Sequence, residues 1–247
     1  MIEELVDFHC HLDLYTDFET LVSECDQKKI HTLTVTTTPR AWPRNFDLAS
    51  ATQHLRVALG IHPQLVSERA NELSLWKEYL PQARYIGEVG LDAGPKFYKS
   101  FDLQKQIFEE ILRQCATSGG KILTVHSVRA VPTVLNMIET YLLHTDCKVV
   151  LHWFTGSPKE GKTAVDLGCY FSVNSEMLKN HRHHNLIKEL PVNRILTETD
   201  GPFTQINGRP SRPEDVKATL KEISAIKGFN LDQLSSQILC NLKELES

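Results

Sequence analysis

Histidines and carboxylates stand at regular places along the chain, where short apolar and β-branched runs end. The residues placed in this way are His9, His11, His62, Glu88, His126, His152 and Asp200. Imidazole and carboxylate groups are common ligands of divalent metal ions in hydrolytic sites, and a carboxylate can bridge two ions with its two oxygens. Four of these imidazoles and the two carboxylates, brought to one place, could therefore hold two divalent ions.

The first pair of histidines supports a shared site. His9 and His11 are two residues apart in a strand-type run, so both side chains point to the same face. Cys10 must then point to the opposite face, where a small buried apolar side chain is the simplest interpretation.

The chemistry requires elements that bring these distant residues together. The sequence predicts eight strands, at Leu5–His11, Thr32–Thr38, Arg56–His62, Arg84–Val89, Lys121–His126, Lys148–Trp153, Cys169–Asn174 and Arg194–Asp200. Several of them are continuous apolar runs, which are typical of the buried strands of a parallel sheet. The candidate residues fall at the carboxyl ends of these strands.

Helix-type patterns alternate with the strands. The clearest are Ser100–Ser118, Ala130–His144, Arg212–Lys227 and Leu231–Leu245. This alternation predicts an α/β protein, a single (β/α)8 TIM barrel over residues 1–247 with a metal site at its C-terminal mouth. A doubly wound open sheet is the alternative, but its usual glycine-rich turn after the first strand is missing here.

Composition excludes several classes of protein. The 247 residues are 41% hydrophobic and 23% charged, which is typical of a globular chain and not of a disordered one. No run approaches the roughly 18 apolar residues of a membrane span, and the first residues do not resemble a signal peptide. We therefore expect a soluble, cytoplasmic protein without membrane contact. The net charge of −4 argues against broad electrostatic capture of duplex nucleic acid.

Six short motifs occur in the order of a known family. They are Phe8–Asp13, Gly60–Pro63, Gly87–Asp92, Val125–Ser127, His152–Ser157 and Glu198–Pro202. Together they resemble the TatD family of metal-dependent DNases in the amidohydrolase-like barrel superfamily. The resemblance runs from the first predicted strand to the last.

The resemblance implies a role for each candidate residue. One ion would take His9, His11, Glu88 and Asp200. The second would take Glu88, His126 and His152, so that Glu88 bridges the two ions. Glu88 and Asp200 would be the catalytic carboxylates, and Asp200 would orient or deprotonate the attacking water. The ligand types admit Mg²⁺, Mn²⁺ or Zn²⁺.

The substrate contacts are less well matched than the ligands. The resemblance places His62 at a substrate phosphate, and a purely structural turn before Pro63 is the alternative. Arg129 is the second candidate for a phosphate contact, although it stands one residue later than in the family. Gln64 replaces a family histidine, and Ala93 replaces an aromatic residue.

The resemblance implies a phosphodiesterase, a deoxyribonuclease that removes nucleotides from single-stranded or frayed DNA ends. TatD-like hydrolases also occur in anti-phage systems, including the Qat type, so protein partners from a defence operon are a further possibility. Two alternatives stay open: a metal-dependent amide or ester hydrolase, and a barrel subunit whose activity needs a partner. The sequence does not decide between DNA and RNA.

Other residues carry weaker predictions. Trp42 and Phe203 are predicted in loops at the mouth, where bases could stack, whereas Trp153 is expected to point outward. Glu198 is expected to support a ligand or to form a buried salt bridge. The run His181–His184 is interpreted as a solvated helix face.

Overall fold

The structure, a computed structural model, describes residues 4–247 and contains one sheet of eight parallel strands in sequential order. The first three residues of the predicted 1–247 domain lie outside the described part. The strands are β1 Leu5–Cys10, β2 Ile30–Val35, β3 Leu55–Leu59, β4 Tyr85–Asp92, β5 Ile122–Val128, β6 Lys148–His152, β7 Tyr170–Val173 and β8 Ile195–Thr197. Each predicted strand overlaps one of these, and the predicted (β/α)8 barrel is confirmed.

The segment after β8 closes the sheet onto β1. The Asp200 backbone N–H donates to the His9 carbonyl at 2.8 Å, and the His11 N–H donates to the Gly201 carbonyl at 2.8 Å. The buried Asp7 carboxyl group accepts from the Thr199 N–H at 2.8 Å. We call this junction the β1–β8 seam. It brings Asp200 beside His9 and His11 and rules out the open-sheet alternative.

Helices cover the outside of the barrel. They are α1 Phe18–Gln27, α2 Trp42–Ser50, α3 Val66–Arg69, α4 Leu73–Tyr79, α5 Phe101–Ser118, α6 Val131–Leu142, α7 Pro158–Asp166, α8 Ser175–Leu178, α9 His181–Glu189, α10 Val216–Lys227 and α11 Leu231–Glu246. A short hairpin, β9 Gln205–Ile206 and β10 Arg209–Pro210, interrupts the pattern before α10. Among residues 4–247, no helix combines the length and the apolarity that crossing a membrane requires.

Local signals set the helix ends. Gly119 follows α5 with a φ of +66°, a conformation that glycine adopts without steric cost. Asn230 accepts hydrogen bonds from the first N–H groups of α11, as a capping residue does. The helix predicted from Arg212 begins later, at Val216, because Pro213–Asp215 form a separate 3-10 turn.

The hydrophobic core lies mainly between the strands and the surrounding helices. Its largest fully buried side chains include Trp76, Phe108 and Phe171. Cys10 is also completely buried, in agreement with its predicted orientation. The polar side chains at the strand ends are thus held by a rigid apolar wall.

Candidate metal centre

A cavity of about 320 Å³ opens at the carboxyl ends of the strands. Six of the predicted site residues line it, and His9 is completely buried beside them. The lining residues are His11, His62, Gln64, Glu88, His126, Ser127, Val128, His152, Trp153, Thr155, Asp200 and Phe203. The site is therefore at the end of the barrel where active sites of this fold lie.

Glu88 stands at the centre of the cluster, and its two oxygens face different histidines. Oε2 lies 3.4 Å from His9 Nε2 and 3.3 Å from His11 Nε2. Oε1 lies 2.7 Å from His126 Nδ1 and 3.2 Å from His62 Nε2. One carboxylate thus divides the ring nitrogens into two groups, as a bridging ligand must.

Asp200 joins the group that contains His9 and His11. Its Oδ1 lies 3.5 Å from His11 Nε2 and 3.7 Å from His9 Nε2. The β1–β8 seam produces this approach, since it fixes the backbone of Asp200 to that of His9.

Buried polar groups orient two of the imidazoles from behind. His9 Nδ1 is 2.8 Å from Thr124 Oγ1, and His152 Nδ1 is 2.9 Å from Glu198 Oε2. Glu198 also accepts from Asn174 Nδ2 at 2.8 Å. Each contact turns the other ring nitrogen toward the cluster, which is how metal-binding histidines are usually held. Of the two predicted roles for Glu198, the structure favours support of a ligand.

Two glycines allow the strands to approach closely enough. A Cβ at Gly60 would lie 2.4 Å from the Glu88 backbone nitrogen, and one at Gly90 would lie 2.1 Å from the His126 carbonyl oxygen. The φ of Gly90 is +133°, which also disfavours a side chain. Glu88 and His126 therefore depend on these glycines for their positions.

The protonation of the cluster reflects its burial and its mixed charges. Burial opposes the charged forms, yet the histidines around Glu88 hold its pKa well below the usual value. Burial lowers the pKa of His11, but Asp200 and Glu88 outweigh it and raise the pKa to about 10. His126 behaves in the same way beside Asp92 and Glu88, and its pKa rises to about 9. In the absence of metal ions, protons on His11 and His126 balance the negative charges of the carboxylates.

The donor set fits divalent ions. His9 Nε2 is fully buried and makes no directed hydrogen bond within the described residues. Three groups of donors have ligand atoms within 4.8 Å of one another: His9 with His11 and Glu88, His62 with Glu88 and His126, and His9 with His152 and Glu198. Metal ions commonly replace protons in such clusters. The site thus offers ligands of the predicted kind.

The two residues predicted to contact substrate differ in their placement. His62 belongs to the cluster through Glu88, and its Nδ1 also accepts from the Gln64 N–H at 3.1 Å, so it shapes the turn before Pro63 as well. Arg129 is exposed, has a φ of +52° and does not line the cavity. Its contact with phosphate stays a prediction.

Gln64 has a role that the sequence did not reveal. Its Nε2 donates to Asp92 Oδ2 at 2.8 Å, and the same oxygen lies 3.2 Å from His126 Nε2. Gln64 therefore contacts the carboxylate that holds His126, in the position where the family has a histidine.

Two predictions about tryptophan were wrong. Trp42 is only 2% exposed because it begins α2 and packs between Phe46 and Tyr79, so it cannot stack on a base. Trp153 lines the cavity instead of pointing outward. The prediction assumed that side chains continue to alternate between the two faces of β6, but the φ of +40° at Trp153 ends this alternation. Phe203 lies at the cavity rim, as predicted.

The histidine-rich run does not join the metal cluster. His181 and Arg182 are exposed, as expected for a solvated helix face. His183 and His184 are half-buried, and their ring nitrogens contact the carbonyls of Met177 and Leu178. These two side chains therefore provide hydrogen-bond partners for carbonyl groups at the end of the preceding helix α8.

The barrel and its cluster of imidazoles and carboxylates define the class of metal-dependent hydrolases, and comparison with known proteins identifies the family. The family described as TatD related DNase matches residues 6–247. The chain therefore belongs to the TatD-related DNase family, and the expected hydrolase of phosphodiester bonds is confirmed at that level.

Individual relatives agree with this assignment. An uncharacterized metal-dependent hydrolase of Buchnera aphidicola is 27% identical over 98% of this chain and 95% of its own length. Human deoxyribonuclease TATDN3 is 24% identical over 93% of this chain and 90% of its own. The crystal structure of YJJV, a TatD homologue of Escherichia coli, shares the fold with a TM-score of 0.88, at 24% identity and coverage of 99% and 98%.

Proposed function

We propose that the protein is a two-metal deoxyribonuclease that removes nucleotides from the ends of single-stranded or frayed DNA. The observation that carries the proposal is the arrangement around Glu88, whose two oxygens face separate groups of imidazoles. Human TATDN3, a relative over most of the chain, is named a deoxyribonuclease.

We assign the ligands to two positions that share Glu88. His9, His11 and Asp200 would complete the first, and His126 and His152 the second. His62 is close enough to Glu88 Oε1 to serve at the second position or to meet a phosphate oxygen there. Bound divalent ions would polarise the phosphoryl group and acidify an attacking water.

Asp200 is the group best placed to receive a proton. Its carboxylate lies at the cavity wall, and although burial opposes ionisation, the charges of His152 and His11 lower its pKa. It is therefore ionised at neutral pH and can orient a water molecule and accept its proton. Glu88 is ionised for the same reason, but the histidines enclose both of its oxygens.

The shape and charge of the cavity support action at chain ends. No lysine or arginine of the described residues lines it, so the walls offer no basic track for a long backbone. A volume of about 320 Å³ is at the small end of ligand-binding pockets, so only a short piece of a strand fits. An end can enter such a cavity more easily than the interior of a strand.

The test is a degradation assay with end-labelled single-stranded DNA, duplex DNA and RNA. Metal-stripped protein is supplied with Mg²⁺, Mn²⁺ or Zn²⁺, and Glu88→Gln is measured in parallel. We expect metal-dependent shortening of single-stranded DNA from one end, lost in Glu88→Gln. If no metal supports cleavage, or if Glu88→Gln cleaves as well as the unchanged protein, the proposal fails.

The missing basic residues also favour a second candidate, a hydrolase of small esters or amides. Val128, Trp153 and Phe203 give the mouth an apolar rim, and no arginine within residues 4–247 lies at the cavity wall to bind a phosphate. Metal-activated water attacks carbonyl and phosphoryl groups alike. A panel of neutral esters and amides in the same assay separates this candidate from the nuclease.

We propose a cytoplasmic role in anti-phage defence, with a Qat-type operon as the setting, as the biological context. Its support is the departure from the family pattern at Gln64, Ala93 and Arg129, where substrate or partner contacts would lie. Plaque counts with the intact operon and with a Glu88→Gln operon test it, and equal counts would contradict it.

A further inference from the structure

Two aromatic rings lie at the ends of a row of imidazoles. Phe203 meets His11 edge to face, with centroids 5.0 Å apart. Trp153 meets His152 edge to face at 6.2 Å. His9 lies between these two histidines, 5.3 Å from His11 and stacked on His152 at 3.6 Å. Phe203 and Trp153 therefore flank the candidate metal centre.

Both rings face the cavity. Phe203 is 60% exposed, which is unusual for a large apolar side chain next to a buried cluster. Trp153 also lines the cavity, whereas Trp42 and Trp76 are buried in the core. Trp153 is half-buried, and aromatic rings that line a concave site are typical contacts for a ligand with a flat face.

The backbone fixes each ring to a candidate ligand. The Trp153 N–H donates to Glu198 Oε1 at 3.2 Å, and the other oxygen of Glu198 holds His152. The Phe203 N–H donates to the Asp200 carbonyl at 2.9 Å. The backbone of each aromatic residue is therefore held at a fixed distance from a candidate metal ligand.

We propose, on the basis of the proposed nuclease function, that Trp153 and Phe203 stack on the two nucleobases that flank the scissile phosphodiester. A phosphodiester carries one nucleoside on each side, and aromatic rings stack on every base with little sequence preference. Because paired bases in a duplex are already stacked, such a site selects single-stranded ends. Stacking also supplies affinity that the missing lysines and arginines cannot.

The test compares single-stranded DNA with substrates that lack one base, on either side of the cleaved bond. We expect the loss of either base to raise KM about ten-fold for the unchanged protein, with little effect on kcat. Trp153→Ala removes the response at one side, and Phe203→Ala removes it at the other. Trp153→Phe restores the response because a ring remains. Phe229→Ala, which truncates an exposed ring outside the cavity, serves as the control.

A binding measurement gives a second readout that does not need cleavage. The chain has three tryptophans, and only Trp153 lines the cavity. We expect a thymidine dinucleotide to quench the tryptophan fluorescence of the metal-loaded protein, and Trp153→Phe to abolish this change.

The outcomes separate stacking from catalysis. Quenching without cleavage supports the stacking residues and contradicts the nuclease. A different result overturns the stacking proposal and leaves the nuclease proposal intact. It is cleavage without quenching, together with the same change in KM on loss of a base in all variants. If neither quenching nor cleavage occurs, both proposals fail.

Discussion

At the scale of single residues, the site depends on how one carboxylate is shared. Glu88 Oε2 faces His9 and His11, and Oε1 faces His62 and His126. The sequence allowed the candidate ligands to be named, because each one was predicted at the end of a strand. The contact between His62 and Glu88 could not be predicted, because the sequence does not show how the turn before Pro63 is oriented.

Removal of one ligand should abolish activity and spare the fold. His126→Ala is expected to lower kcat/KM by roughly 100-fold or more, because a ligand of the second position is lost. Circular dichroism should stay unchanged, since the side chain lies at the cavity wall. His144→Ala removes an exposed histidine and is the matched control. Full activity of His126→Ala would contradict the ligand assignment.

Metal affinity should rise with pH. In the metal-free protein the pKa is about 10 for His11 and about 9 for His126, so both rings are protonated at neutral pH. Ions must displace these protons, and we expect about two protons to be released on loading at pH 7. Calorimetry in buffers of different ionisation enthalpy measures the release. An affinity that is constant from pH 6 to pH 8 would be inconsistent with these pKa values.

At the scale of elements, the strands carry most of what could be predicted. The eight apolar runs and the polar residues at their ends were sufficient to predict the barrel and the position of its mouth. The orientation of Trp153 was not predictable, because the alternation of side chains fails where φ becomes positive. Trp42 was predicted in a loop, whereas in the structure it is the first residue of α2.

The β1–β8 seam offers a test of the barrel closure. Asp7→Ala leaves the buried Thr199 N–H and hydroxyl without their acceptor. We expect a loss of about 1–3 kcal/mol in the free energy of unfolding, measured by urea denaturation. Asp7→Asn keeps one acceptor oxygen and should lose less. Equal stability of Asp7→Ala and the unchanged protein would show that the seam contributes little.

At the scale of the whole molecule, affinity for nucleic acid must come from the mouth. The net charge is −4, and no lysine or arginine lines the cavity among residues 4–247. Bound cations would reverse the local charge and attract a phosphodiester to an otherwise acidic protein.

This charge distribution predicts a weak dependence on salt. With roughly one or two phosphates contacted, the plot of log KM against log salt concentration should have a slope below about 2 for single-stranded DNA. KM measured between low and moderate salt gives the slope. A slope of about 5 would contradict this prediction, because it would mean that several basic residues outside the cavity contact the backbone.

An anomalous diffraction map of Mn²⁺-loaded crystals would show whether Glu88 contacts two metal ions. We predict two peaks on either side of the Glu88 carboxylate, one beside His11 and Asp200 and the other beside His126. A single peak, or peaks that do not touch Glu88, would contradict the account.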